Sequence, residues 1–535
     1  MNDAITAIHI NCDTFKRLKQ NIFCLSLLLL ACNSNTYAQE WTDNHDSSKR
    51  NLAHGIETKL EWQSTFSKGK TPLWLNANKY GLSSLEKNNG YFRATMERPL
   101  QTDSARRWGI GYGIDIAAAY NNTSHFIVQQ AFAEVRWLHG KLTVGSKQQL
   151  PVMKNAALSS GAQTLGINAR PVPQVRLELP EYWAIPVANR WIQLKGHISY
   201  GILTDDSWQK DFTTQKSKYA EHTLFHSKAG YLRIGKDEEL YPVSLEFGLE
   251  MATLFGGTTY MPDGNGQMER LSNGHGLKSF WHALIPGGSD ITDGAYANVE
   301  GDELGSWLLR LNYNTDNWRI GLYADKFFED HSGMFLLDYD GYGEGEEHAV
   351  KKHTKFFLYD MKDIMLGAEL NLKYTKWIKN IVAEYIYTKY QSGPVYHDHT
   401  FTISEHIAGI DNYYNHAVCS GWQHWGQVMG NPLYRSPLYN EDGRIEVEDN
   451  RFVAWHLGFD GAPTDNLAYR VLATWQEGVG SYDRPYLMPR RNVSLLAEIS
   501  YQLRKGWTLK CGFGADFGKI LGNNRGLQIS ASKQL

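Results

Sequence analysis

The chain has 535 residues and a formal net charge of −3 at pH 7, from 54 lysines and arginines against 57 aspartates and glutamates. Aromatic residues make up 13%, and 49 glycines stand beside only 16 prolines, a composition rich in strand formers and poor in the features of disorder. The composition therefore predicts a folded protein. Because no basic run interleaves with aromatic residues, it argues against nucleic acid as a partner.

Residues 1–38 have the pattern of a secretory signal peptide. Basic residues precede an apolar run over 22–31, and a polar stretch then ends at Ala38, a small residue typical of a cleavage site. The apolar run is too short for a membrane anchor. A second processing route stays open, because residues 29–32 resemble a lipobox in which Cys32 becomes the lipidated first residue. Cleavage after Ala38 leaves a short polar segment, residues 39–53, ahead of the folded part.

From residue 54 onward the chain repeats segments of alternating apolar and polar residues, the pattern of strands in a membrane β-barrel. In "WGIGYGIDIAAAY" (108–120), bulky apolar residues share one face and glycines share the other. In "VSLEFGLEMATLF" (243–255), Glu246 and Glu250 lie on the face that a soluble sandwich would bury. The alternation recurs in 191–202, 307–313, 366–374, 467–475, 493–503, 507–517 and 526–535.

These segments predict an all-β fold in which residues 54–535 form a single antiparallel transmembrane β-barrel. Long, partly helical loops are expected to fold into or over its lumen. A soluble sandwich or propeller stays the alternative, although no period of 20–50 residues repeats, which argues against a propeller. The predicted long loops are 151–190, 256–305, 329–363, 391–450 and 477–492.

Cysteine usage agrees with export and does not require a disulfide. Behind the leader only Cys419 and Cys511 remain, so one bridge is possible. Cys511 lies on the apolar face of an alternating segment, whereas Cys419 lies in an irregular one. We expect two unpaired cysteines.

Six blocks of sequence carry a resemblance to a known family. They are "SSGAQTLGINARPVPQVRLELPEYW" (159–183), "KGHISYGILTDDSW" (195–208), "TLFHSKAGYLRIG" (223–235), "SLEFGLEMATLFGGTTY" (244–260), "KYQSGPVYHDHT" (389–400) and "DNYYNHAVCSGWQHWGQVMGNPLYRSPLYN" (411–440). Together they resemble the capsule assembly Wzi family over most of the mature chain. The resemblance implies an outer-membrane barrel of about eighteen strands, acting as a lectin that holds capsular polysaccharide at the cell surface. It implies no catalysis and no cofactor. We also expect contact with outer-membrane lipid and a monomer.

One feature departs from the family. Its best-known members carry a helical bundle that plugs the periplasmic mouth of the barrel, whereas only about fifteen polar residues (39–53) precede the first strand-like run here. That length is too short for such a bundle. Either the inserted loops close the pore, or the pore is more open and the protein also transports solutes.

Residues 411–440 are the candidate polysaccharide-binding segment. Sugars present hydroxyls and weakly apolar ring faces, so a binder needs aromatic planes and hydrogen-bonding side chains. The segment supplies both, and an internal plug that packs the same aromatics against the lumen wall stays the alternative. The candidate site residues are Tyr413, Tyr414, Asn415, His416, Trp422, His424, Trp425, Tyr434 and Arg435.

Two other groups of residues are weaker candidates for a functional site. His397, Asp398 and His399 could contribute to a metal site, but a third ligand is not evident, and no metal is expected. A surface glycoside hydrolase would need two carboxylates across a sugar bond, and the sequence cannot show such a pairing. The acids that would be its candidates are Asp205, Asp206, Asp325, Glu329 and Asp330.

Overall fold

The computed structural model describes residues 51–535 except 106, 237–239, 286–300, 330–334, 339–340, 343–344, 353–354, 359–360, 394, 397–400, 403–405 and 408–409. The predicted signal peptide, the polar segment up to residue 50, the His397–His399 motif and Asp330 lie outside the described residues. Residues Ala53–Leu535 form one compact unit.

Among the described residues, eighteen strands form one antiparallel sheet that closes on itself. The last strand pairs with the first, from Lys59 opposite Gln534 to Lys68 opposite Arg525, which confirms the predicted barrel and its number of strands. The strands are β1 (Glu57–Lys68), β2 (Asn88–Arg98), β3 (Trp108–Tyr120), β4 (Phe126–Trp137), β5 (Gly140–Ser146), β6 (Gln174–Ala184), β7 (Ile192–Ile202), β8 (Leu224–Ile234), β9 (Val243–Phe255), β10 (Asp302–Asn314), β11 (Trp318–Glu329), β12 (Ile364–Leu372), β13 (Asn380–Tyr387), β14 (Phe452–Gly461), β15 (Leu467–Gly480), β16 (Pro485–Gln502), β17 (Trp507–Gly518) and β18 (Asn524–Gln534).

The two ends of the barrel differ in the length of their connections. At the short-turn end lie both the start of β1 and the end of β18, with turns such as 138–139 and 503–506. At the long-loop end lie 69–87, 147–173, 203–223, 256–301, 330–363 and 388–451. In outer-membrane barrels the short turns face the periplasm and the long loops face outside.

The loops contain short elements of their own. Three α-helices, α1 (Leu73–Asn76), α2 (Asp206–Phe212) and α3 (Leu277–Leu284), lie in long loops. No described helix has both the length and the apolarity needed to cross a membrane. Short strands pair within loops at Tyr219–Glu221, Thr258–Pro262 and Met268–Ser272, Phe335–Asp338 and Lys355–Leu358, Gly341–Tyr342 and Lys351–Lys352, Val395–Tyr396 and His406–Ile407, and Gln423–His424 and Gln427–Val428. The 3₁₀ turns are Leu100–Asp103, Ala188–Arg190, Gly345–Glu347, Pro437–Tyr439 and Arg504–Gly506.

The strands turn their apolar faces outward and their polar faces into the lumen. In β3, Trp108 is 52% and Ile114 is 45% exposed, whereas Asp115 on the opposite face is 1% exposed. Glu246 and Glu250 of β9 are likewise buried inside. The alternation therefore predicted the lipid-facing and lumen-facing sides of these strands correctly.

The hydrophobic core lies within the lumen and is built largely from loop residues. Leu75 of α1, Leu158, Trp422 and Tyr434 join inward-facing residues of the wall such as Leu496 in one buried cluster. The loops at the long-loop end thus fold inward as predicted.

Two details of the sequence interpretation change. Residues 477–492 were expected to be a loop, but they belong mostly to β15 and β16, which continue as a hairpin above the apolar band. In this hairpin the backbone hydrogen bonding between the strands extends beyond the residues that alternate between apolar and polar. Side chains beyond the lipid layer no longer need to be apolar. The predicted loop 151–190 also contains β6. The structure shows no disulfide between Cys419, which is buried, and Cys511, which is half-buried in β17.

Replacing a lipid-facing residue by arginine tests the assignment of the two faces. Ile529 in β18 is 37% exposed and points outward, and we expect Ile529→Arg to destabilise the barrel by about 2–4 kcal/mol, the cost of a cation in the apolar layer. Ser532→Arg on the same strand points inward, opposite Glu61, and should cost far less. Urea unfolding in lipid vesicles measures both, and equal costs would contradict the assignment.

Candidate functional site

Residues 411–440 lie inside the long-loop end of the lumen, in the connection between β13 and β14. Of the nine candidate residues, five have side chains that are at most 3% exposed, and they are Tyr413, Tyr414, Trp422, His424 and Tyr434. The other four, Asn415, His416, Trp425 and Arg435, are partly exposed. The segment is therefore divided between an internal and a surface part.

Three tyrosines of the segment pack as an aromatic cluster. The rings of Tyr414 and Tyr434 lie 4.1 Å apart, and Phe327 of β11 meets the Tyr413 ring edge-on at 4.7 Å. The Tyr413 hydroxyl donates to an Asp363 carboxylate oxygen at 2.9 Å, and that of Tyr414 donates to the carbonyl of Gln163. Burial raises the pKa of both phenols well above the usual range, so both remain donors.

Trp422 is enclosed completely. Its Nε1–H donates to the Thr164 carbonyl oxygen at 3.0 Å, and its ring stacks with Phe225 of β8 at 6.0 Å between centroids. With 0% of its side chain exposed, the indole offers no free face to a sugar. Its contacts join two loops to the barrel wall.

His424 connects three chain segments. Its Nε2 accepts a hydrogen bond from the Thr204 backbone N–H at 3.2 Å, so the proton lies on Nδ1, which donates to the Arg170 carbonyl oxygen at 2.9 Å. Burial lowers the pKa of this imidazole, which is consistent with the neutral form. His424 therefore holds loops together as a neutral, fully bonded side chain.

Glycines allow the segment to pack this tightly. A Cβ on Gly430 would lie 2.0 Å from the Tyr414 hydroxyl, so no other residue fits there. Gly426 has a φ of 77°, in the left-handed region, and a Cβ would meet the Trp208 ring. The aromatic and glycine content of residues 411–440 follows from this internal packing.

The partly exposed candidates differ in their contacts. Arg435 pairs with Glu448 at 2.7 Å, and Arg484 pairs with the same carboxylate at 3.2 Å. The Asn415 amide donates to the Val447 carbonyl at 3.0 Å. His416 Nδ1 accepts from the backbone N–H of Cys419 at 2.9 Å. These contacts hold the loop in its shape.

Trp425 is the candidate whose aromatic ring reaches the surface. Its backbone has a φ of 56°, held by a hydrogen bond from its N–H to Asp205 at 3.0 Å. The Arg170 guanidinium lies 4.2 Å from the centroid of the indole. The ring packs against a buried cluster of Trp208, Tyr219 and Ile445.

Sequence reasoning missed the contribution of residues 147–173, which form the second half of the internal packing. The Ser159 hydroxyl and the Ser160 N–H both donate to Glu384 of β13, at 2.6 and 2.8 Å. His456 of β14 bonds the Leu158 carbonyl at 2.8 Å. The available signals were the absence of any strand pattern between residues 151 and 173 and the family motif block that begins at Ser159.

The carboxylates of the glycosidase alternative are engaged in the same packing. Asp205 accepts from Trp425 and Gln423, Asp325 pairs with Lys154, and Glu329 accepts the Tyr414 N–H. In the described part of the chain no group of three histidine, cysteine or acidic side chains could hold a metal ion.

Comparison with known proteins identifies the family. The family model of the capsule assembly protein Wzi matches residues 47–357, more than half of the chain. The chain belongs to the Wzi family. No curated protein matches its sequence. Together with the closed barrel, this membership makes it an outer-membrane protein, as predicted.

One solved structure supports the fold. Wzi of Escherichia coli, an outer-membrane protein involved in group 1 capsule assembly and a carbohydrate-binding β-barrel, aligns with a TM-score of 0.53 at 13% identity, covering 90% of this chain and 84% of that one. OprD of Pseudomonas aeruginosa aligns with a TM-score of 0.42 at 10% identity, covering 90% and 94%.

Truncation of the enclosed tryptophan tests the internal packing. We expect Trp422→Ala to cost about 3–5 kcal/mol of stability, because it leaves a large cavity and an unpaired Thr164 carbonyl. Trp422→Phe keeps most of the volume and should cost about 1–2 kcal/mol through the lost hydrogen bond. Thermal unfolding in detergent measures both. If both variants were as stable as the wild type, the buried position of the Trp422 side chain would be contradicted.

Proposed function

We propose that this protein binds capsular polysaccharide at the long-loop end of the barrel and helps to attach or assemble the capsule at the cell surface, as a monomer and without catalysis. Membership of the Wzi family supports a role in capsule assembly. The carbohydrate binding of Escherichia coli Wzi, a distant structural relative, points to the same ligand class.

The observation that carries the proposal is the dense packing of the long loops into the barrel. Hydrogen bonds such as those of Ser159 with Glu384 and of Trp422 with Thr164 tie two loops to each other and to the wall. A loop surface supported in this way is ordered before the ligand arrives, which lowers the entropic cost of binding a flexible polymer. The buried part of residues 411–440 therefore supports a binding surface formed by the exposed part.

Trp425 is the best-placed contact on that surface. It combines a partly exposed indole with the guanidinium of Arg170, which lies over the ring. An aromatic plane next to hydrogen-bonding groups suits a sugar ring and its hydroxyls. The remaining surface candidates are Asn415, His416 and Arg435.

Removal of the Trp425 indole ring should reduce polysaccharide binding without unfolding the protein. We expect Trp425→Ala to weaken binding of the cell's own capsular polysaccharide by roughly tenfold, the loss of about 1.4 kcal/mol from one stacking contact. Isothermal titration with the purified polysaccharide measures the affinity. In cells, the polysaccharide should shift from the washed cell fraction to the medium.

Trp281 in α3 provides a matched control, since it is 57% exposed at the same end of the barrel but lies in a different loop. Trp281→Ala should leave polysaccharide binding unchanged. Undiminished binding by the Trp425 variant would refute this contact, and an unchanged division of polysaccharide after gene deletion would refute the anchoring role itself.

A diffusion channel is the alternative function, and the loop packing opposes it. Residues 147–173 and 411–440 contact inward-facing residues of β11, β13, β14 and β15 around the lumen. We expect no stable conductance steps for the wild type in planar bilayers. A variant with a short Gly-Ser linker in place of 156–169 should conduct, and equal steps for both proteins would favour the channel.

A further inference from the structure

Four cationic side chains form a rim on the outer face of the barrel at its long-loop end. Lys68 ends β1, Arg525 lies on β18, Lys519 follows β17, and Arg491 lies on β16. All four are exposed. The strands concerned are consecutive around the wall, because β1 pairs with β18, β18 with β17 and β17 with β16.

The rim begins where the lipid-facing band of these strands ends. One step along the outer face from Lys68 and Arg525 lies the pair of Phe66 and Leu527, which are 50% and 39% exposed. Phe517, two residues before Lys519, is 55% exposed. The cations are therefore located at the height of the lipid headgroups in the leaflet that the long loops face.

The sheet brings like charges together in this rim. Lys68 stands directly opposite Arg525, and the Lys519 N–H donates to the Arg491 carbonyl at 2.9 Å, which places those two residues side by side. Like charges directly opposite each other destabilise a sheet. Arg491 is balanced by Glu477 at 2.8 Å, but in the described chain no carboxylate lies within ion-pair distance of the other three cations.

An apolar surface adjoins the cations. Leu487 and Met488 of β16 are 104% and 76% exposed, and a shallow cavity of about 340 Å³ lies between them, Pro489, Arg490 and Lys519. Because Leu487 and Met488 lie on the part of β16 that continues above the apolar band, they face the space outside the headgroups and not the acyl chains.

We propose that this rim binds a phosphorylated lipid headgroup of the outer leaflet, of the kind found in lipid A, whose glucosamine disaccharide carries two phosphates. One phosphate would lie between Lys68 and Arg525 and the other between Arg491 and Lys519, so that each relieves the repulsion of one pair. The partner is a membrane lipid, and the surface is separate from the loop surface around Trp425.

The test compares the wild-type protein with a variant lacking the three unpaired cations, Lys68→Gln with Lys519→Gln and Arg525→Gln. The full chain in neutral detergent is titrated with diphosphorylated lipid A, with binding followed by native mass spectrometry. Because each cation should contribute about fivefold to the affinity, the variant should bind diphosphorylated lipid A roughly a hundredfold more weakly than the wild type. Dephosphorylated lipid A should bind both proteins weakly and equally.

A control variant carries the same charge change at the opposite end of the barrel. Arg504→Gln, Lys505→Gln and Lys379→Gln remove three exposed cations from short turns, and they should leave lipid A binding unchanged. Equal affinity of the rim variant and the wild type would overturn the proposal. So would a rim variant that loses binding of the capsular polysaccharide instead of lipid A.

Thermal stability provides a second readout, because the variant should be at least as stable as the wild type without lipid and less stable than it with lipid. Without lipid, the rim variant should unfold at the same or a higher temperature than the wild type, because the like-charge repulsion is gone. Added diphosphorylated lipid A should raise the midpoint of the wild type and not that of the variant. A rim variant that is less stable without lipid would show instead that the cations stabilise the strand ends through contacts within the protein, and would overturn the proposal.

Discussion

The structure depends on satisfying the polar groups that the barrel wall turns into its lumen. A transmembrane strand must alternate, so each apolar residue facing lipid is accompanied by a residue facing inward, and many of those here are charged. Buried carboxylates such as Glu384 and Asp325 are costly unless hydrogen-bonded or paired. Loops supply many of their partners, with Ser159 and Ser160 on Glu384 and Lys154 on Asp325, while Tyr323 of the wall also donates to Glu384.

This requirement explains why the loops fold inward and why their aromatic residues are buried. Once residues 147–173 enter the lumen to meet the wall, the space between them and β11 to β15 must be filled, and the tyrosines and tryptophan of residues 411–440 fill it. The same side chains that would suit sugar stacking by type thus stabilise the support beneath the surface. A rigid support is in turn what a binder of flexible polysaccharide needs.

The outer face of the barrel follows a different rule. There the solvent is lipid, so apolar residues such as Phe66 and Phe517 are exposed, and cations become favourable only at the headgroups. The rim of Lys68, Arg525, Lys519 and Arg491 lies at this boundary. The inward charges of this protein therefore have partners within the chain, whereas we propose that the membrane supplies the partners of the outward cations Lys68, Lys519 and Arg525.

The amino-acid sequence by itself determined the barrel, its lipid-facing residues and the family, because alternation over a strand is local and the motif blocks are long. The faces of 108–120 and 243–255 were predictable for this reason. The extent of β15 and β16 was not, since pairing continues where the apolar pattern stops.

Only the tertiary structure decided which candidates of residues 411–440 are covered. Tyr414 and Trp425 are equally aromatic in the sequence, yet one is 0% exposed and the other reaches the surface. The difference comes from contacts with residues more than 200 positions away, such as Gln163 for Tyr414 and Asp205 for Trp425. No local pattern records such contacts, because loop burial is set by the segments that share the lumen.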